Sequence, residues 1–252
     1  MPRNRSWVVA QADFKAAMAL RFVKFGILGL GSLGPIMVVI SVVSIALLMP
    51  PGPDYEMLML FMAPTVSTML ALFSVIPASM ISANSFVGEK EQNTLEPLLA
   101  TPLTDGQLLM GKLLASFVPS GILLFGGTAV SIVAENVILM SMGRPFLLLP
   151  DIPGIIFISL AGPAMILAVV SVMILISGRV SRVYEAYQVS MLVALVLIVP
   201  MIVPSFFIGS GLDQSLVWMT YIATILVAMV IMAVTMVLAI KRFNRDTMIR
   251  MT

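Results

Sequence analysis

The chain predicts an all-α integral membrane protein with six transmembrane helices and an N-terminal amphipathic interfacial helix. Three observations lead there. The 252 residues are 60% hydrophobic and 10% charged, with a mean hydropathy of +1.10. That charged share is well under half of the roughly 25% found in soluble domains. Six uncharged runs recur, each longer than the roughly 20 apolar residues that cross the hydrocarbon core. The basic residues fall almost entirely in alternate linkers.

Residues 1–24 read as a cytoplasmic connecting helix, and residues 25–252 as the six-span domain. The first part holds Arg3, Arg5, Lys15, Arg21 and Lys24. On a helical wheel Trp7, Phe14, Met18, Phe22 and Phe25 share one face. Arg21 can snorkel from the edge of that stripe. Such a helix lies in the headgroup region. It is not expected to be a signal peptide, because Asp13 and Lys15 interrupt any apolar core.

The uncharged runs are Phe25 to Pro53, Met57 to Gly88, Leu113 to Ala134, Ile152 to Gly178, Ala186 to Leu212, and Gln214 to Ile240. Thr104 and Gln107 have capping-box spacing, so the third helix is expected to start there. Pro50, Pro51 and Pro53 with Gly52 make a rigid turn. Pro200, Pro204, Gly209 and Gly211 interrupt the fifth run. Those breaks predict a re-entrant outer segment, which must be covered by protein or water.

With the N-terminus inside, the cytoplasmic segments carry thirteen of the fourteen basic residues, and only Arg144 lies outside. The positive-inside rule then places both termini in the cytoplasm. The short linker with Arg179, Arg182 and Glu185 is a candidate second cytoplasmic contact.

One long polar insertion stands out, at about residues 86–104. Glu89, Lys90, Glu91 and Glu96 crowd its start, and Leu95, Leu98 and Leu99 follow. A free loop has no need of those leucines, but a short amphipathic helix does. Thr94 can cap it. Glu96 in the first turn favours the positive end of the helix dipole. Pro97 is tolerated there. Thr101, preceding Pro102, is pushed out of the helical region, so the helix ends. An apolar face flanked by carboxylates is a docking surface.

These residues carry a resemblance. Glu89 to Glu91, then Thr94 to Glu96, then Leu98 to Pro102 resemble the signature of type-2 ABC permeases. The six-span layout extends the likeness over the chain. The resemblance implies that the loop is a coupling helix seated on a separate ABC ATPase subunit. It implies a second permease copy or a paralogue, the bilayer of the cell membrane as the setting, and ATP with Mg bound on the partner rather than on this chain. It also implies an ATP-driven exporter working by alternating access. The expected coupling residues are Glu89, Glu91, Thr94, Leu95, Glu96, Leu98, Leu99, Thr101 and Pro102.

Other features are weaker. Gly106 to Lys112 matches most of a phosphate-binding loop, but Leu113 stands where the magnesium-binding hydroxyl belongs and no strand precedes it. The match reads as chance. Glu135 follows Lys112 by about 34 Å of helix, so it reads as an interfacial carboxylate ahead of a proton relay. The 22 methionines read as apolar filler, not a copper path, without Cys or His nearby. Ser67, Ser74 and Ser82 share a face of the second run, and Ser116 and Ser120 one of the third. Small stripes favour helix packing over a substrate pathway.

With no Cys and no His, thiol chemistry, disulfides and the commonest general base are excluded. A net charge of +2 gives no argument for nucleic acid. A secondary transporter would need ionisable residues at mid-membrane, and a membrane hydrolase a catalytic dyad or metal ligands. A sensor or immunity subunit on the same scaffold is the alternative reading.

The orientation is directly testable in this Cys-free chain. A cysteine at Gly52 or Gly143 should react with an impermeant thiol reagent added outside cells. One at Gln92 or Asn244 should be protected. Strong outside labelling at position 92 would reverse the topology.

Overall fold

The computed structural model describes residues 5–91, 103–177, 179–180, 182–206 and 214–242. Among them are helices, turns and no strands. The helices are α1 (Arg5–Ala19), α2 (Arg21–Leu48), α3 (Pro53–Ala83), α4 (Asp105–Ser141), α5 (Ile152–Ile176), α6 (Val183–Ala194), α7 (Val199–Ser205) and α8 (Gln214–Arg242). A π-helical turn, Asn84–Gly88, and one α-turn, Glu89–Glu91, prolong α3. A 3-10 segment, Leu195–Ile198, joins α6 to α7. Six helical stretches are long and apolar enough to cross a membrane: Arg21–Leu48, Pro53–Gly88, Asp105–Ser141, Ile152–Ile176, Val183–Val203 and Ser215–Arg242.

The boundaries follow local chemistry. Met49, ahead of Pro50, takes an extended conformation (φ −119°, ψ 132°) and ends α2, as the steric clash before proline requires. Thr104 and Gln107 form the expected capping box, each side chain bonding the other's backbone amide. Asp151 caps α5 by accepting from the Gly154 amide at 3.0 Å, with Pro153 in the first turn. α4 ends in a Schellman motif. Gly143 (φ +71°) donates to Met140 and Arg144 donates to Leu139; glycine enters this left-handed conformation without the Cβ penalty.

Two expectations shift. The N-terminal helix does not run through residue 24. Leu20 is extended (φ −77°, ψ 117°), so Trp7, Phe14 and Met18 stay on α1 while Phe22 and Phe25 pass to α2. The buried face of α1 is the small one, Ser6, Val9, Ala10 and Ala17, and Trp7 is 42% exposed. Small residues let α1 lie close against α4. The fifth run breaks earlier than its glycines, at the 3-10 segment. Pro200 has no amide to bond the Val196 carbonyl one turn back. The re-entrant segment expected beyond it falls on residues 207–213, outside the described residues.

The centre of the bundle is α3. It packs against α2, α4, α5 and α6, while α8 leans mainly on α5. Crossings are made where a side chain is missing. A Cβ on Gly127 would stand 2.7 Å from the Pro35 ring, and one on Gly162 2.6 Å from Leu124. Small residues at crossings give lipid-embedded helices their van der Waals contact. The α5–α8 seam adds Phe157 against Tyr221, ring centres 5.0 Å apart. The Tyr221 hydroxyl donates to Ser67 Oγ on α3 at 3.0 Å.

The docking of α1 depends on Gly111. A Cβ there would lie 2.6 Å from Val9 and 2.9 Å from the Ser6 carbonyl. Gly111→Val should pry α1 from α4 at an overpacking cost of about 1–3 kcal/mol. Trypsin cleavage after the exposed Lys15 should then accelerate in detergent solution. An unchanged cleavage rate would mean that this contact does not hold α1.

Candidate functional site at the loop end of the bundle

The polar loop leaves the bundle beside a buried ionic cluster. α3 passes into the π turn, where Asn84 Oδ1 occupies the space of a Gly88 side chain. Single π turns inside helices are a recurrent feature of functional sites. The turn brings Ser85 and Glu89 toward Lys112 on α4, and α1 brings Asp13 from the other side. Lys112 Nζ donates to Glu89 Oε1 at 2.6 Å, to the Ser85 carbonyl at 2.6 Å, to Ser85 Oγ at 3.1 Å and to Asp13 Oδ2 at 3.4 Å. The Ser85 hydroxyl donates to Asp13 Oδ2 at 2.6 Å. Lys112 also lies over the Phe86 ring, 5.2 Å from its centre.

Electrostatics make this cluster costly to break. Lys112 is 2% exposed. One ammonium faces two carboxyl groups, and burial pushes the Glu89 carboxyl above its ordinary range, with Lys112 opposing and Asp13 adding to the rise. Removing one member of a buried pair typically costs about 3–5 kcal/mol, because the other charge is stranded.

The second polar linker lies at the same end. The Glu91 carboxylate accepts from the Val183 amide at 3.4 Å, at the first turn of α6, where the helix dipole favours a negative charge. Arg179, Arg182 and Glu185 are exposed around that helix start. The structure therefore brings Glu89, Glu91 and this linker to one end of the molecule. Thr94, Leu95, Glu96, Leu98, Leu99, Thr101 and Pro102 lie outside the described residues.

The serine stripes are buried in helix contacts. Ser67, Ser74 and Ser82 donate to carbonyls of their own helix, as does Ser116 weakly at 3.5 Å. Ser120 Oγ is buried without a hydrogen-bond partner among the described residues. None of these serines lines either of two cavities on the molecule, one of about 400 Å³ and one of about 260 Å³. Gly106 to Lys112 lie on α4 itself; Gln107 donates its amide to the Thr104 hydroxyl and Leu108 donates to the Thr104 carbonyl, so the segment is a capped helix start and not a phosphate-binding loop.

Lys112 is the residue that sequence reasoning passed over, as part of that chance match. A signal was present. Asp13 is the lone acid in the first 53 residues, and Lys112 directly precedes an uncharged run. Each needs a partner once the helices pack.

At the opposite end the 144–151 segment folds onto the bundle. Arg144 Nη2 donates to the Ala46 and Met49 carbonyls at 2.7 and 2.6 Å, closing the end of α2. Its guanidinium stacks on Tyr55 at 4.9 Å. Asn136 pairs with both backbone groups of Leu147, each at 2.8 Å. Glu135, expected as an interfacial carboxylate, lies at this same end of the bundle. It is fully buried, and the Leu149 backbone approaches it without making a hydrogen bond. The larger cavity lies here, between Tyr55, Glu56 and Met59 of α3 and Arg144, Leu148 and Asp151.

A family model described as ABC-2 family transporter protein matches residues 7–216. No curated protein matches the chain.

Asn136 is the clamp on the 144–151 segment. Asn136→Ala strands both Leu147 groups, and a buried unpaired backbone group costs about 1–3 kcal/mol. The variant should insert normally but lose several degrees of thermal stability in detergent, followed by size-exclusion chromatography after heating. Unchanged stability would mean that water replaces the clamp without loss.

Proposed function

The chain belongs to the ABC-2 transporter family and is a membrane permease subunit without an ATPase site of its own; from that premise we propose that it serves an ATP-driven exporter. The loop at residues 86–104 would seat on a separate ABC ATPase subunit. Two permease copies, or this chain and a paralogue, would pair with two ATPases that bind ATP and Mg. Nucleotide-driven closure of the ATPases would shift the loop and switch the spans between inward and outward access. Such a switch requires the nucleotide-bound ATPase to favour one state over the other.

The observation that supports this most is the convergence of polar connections. Glu89 and Glu91 at the root of the loop lie with the start of α6 at one end of the bundle. A partner docking there meets both connections at once. The positive-inside pattern puts that end in the cytoplasm of a multi-pass protein of the cell membrane, where ATP is available. Arg179, Arg182 and Glu185 would then form a second, exposed contact. The serines of α3 and α4 belong in this reading to helix packing.

The test is capture of the ATPase encoded beside this chain. Leu98→Ala with Leu99→Ala removes two apolar anchors. Central anchors cost more than about 2 kcal/mol on truncation, roughly thirtyfold in affinity. The double variant should insert and fold yet release the ATPase. Glu91→Gln should have a milder, salt-sensitive effect. Full complex assembly by the leucine variant would show that the loop is only a solvated linker.

A further inference from the structure

We propose that Asp13, Ser85, Glu89 and Lys112 form a transmission joint that makes α1, the root of the polar loop and α4 move as one body. Three segments far apart in sequence meet in this cluster. Asp13 bonds Ser85 across 72 positions, Glu89 bonds Lys112 across 23, and Asp13 reaches Lys112 across 99. Lys112 is the shared member. It holds the hydroxyl and the carbonyl of Ser85 in the π turn and the Glu89 carboxylate just beyond it, so the turn cannot rotate without breaking a charge-assisted bond.

A buried ion pair is a poor device for raising stability, since desolvation offsets much of the attraction. Its directional bonds do fix register. The surroundings support that role. Gly111, one residue before Lys112, lets α1 approach closely enough for Asp13 to reach the cluster. Phe86 covers the ammonium and keeps competing water away. Glu91 extends the body to the first turn of α6. A displacement of the loop root would therefore carry the N-terminal helix and α4 with it.

The proposal rests on the reading of the loop as an ATPase contact only for the source of that displacement. The joint is tested on the full chain alone, by hydrogen–deuterium exchange in lipid nanodiscs. Asp13→Asn, placed on α1, should raise exchange at Asn84–Glu91 about tenfold, the factor for one charge-assisted hydrogen bond. Asp13→Glu should restore protection, and α5 and α8 should be unaffected. Should Asp13→Asn also loosen α5 and α8, Ser85→Ala decides, with the same expectation for Arg5–Ala19. Loosening confined to the mutated segment would overturn the joint.

A second arm adds the captured ATPase with ATP and Mg. A nucleotide-dependent change at Asn84–Glu91 should reach Arg5–Ala19 in the wild type and fail to reach it in Asp13→Asn. A wild-type α1 that ignores nucleotide while the loop root responds would overturn the transmission. A loop root that never responds would count against the exporter reading instead, leaving the joint to stand or fall on the first arm.

Discussion

Everything in this molecule answers to the absence of water around its spans. A backbone amide in hydrocarbon has no partner except its own helix, so the chain commits to helices wherever it crosses. Buried Ser67, Ser74 and Ser82 obey the same demand, returning their hydroxyl protons to carbonyls three or four residues back. With lipid as apolar as leucine, the helices are held together by close approach. The contacts that matter are therefore those of Gly111, Gly127 and Gly162, where one helix lies against the next with no Cβ between them.

That constraint makes any buried charge conspicuous. The structure tolerates ionic side chains at the two ends of the bundle and satisfies them differently. At the loop end Lys112 sits among two carboxyl groups, a hydroxyl and a carbonyl. At the other end Arg144 spends its guanidinium on carbonyls that finish α2 and on the face of Tyr55. The first arrangement ties three segments of different origin. The second closes a helix and anchors a connecting segment. Only the first lies beside the root of the polar loop.

The contrast fits the proposal that an ATPase acts on this permease from one end. In that reading α3 would carry the input into the core, because it is the helix packed against most of the others and the loop grows from its last turn. α8, leaning chiefly on α5, presents much of its surface outward.

The sequence by itself determined the class of the protein and much of its layout. Hydropathy runs set six spans, because crossing length is a property of the bilayer. Thr104 with Gln107, and Met49 before Pro50, marked helix boundaries through purely local chemistry. The signature from Glu89 to Pro102 pointed to the family that the family model then matched. Tertiary structure decided what depended on distant partners. The helical wheel grouped Trp7 and Phe25 on one stripe, but the break at Leu20 divides them between α1 and α2, and close approach at Gly111 sets the small face of α1 as the one packed on the protein. Arc length put Glu135 near one end of its span; its burial there comes from the 144–151 segment, whose Leu149 backbone approaches it. Lys112 read as the tail of a chance motif until α1 brought Asp13 and the π turn brought Glu89 to it. Local rules act within a turn or two of helix, whereas a buried charge is explained only by the residues that the fold delivers to it.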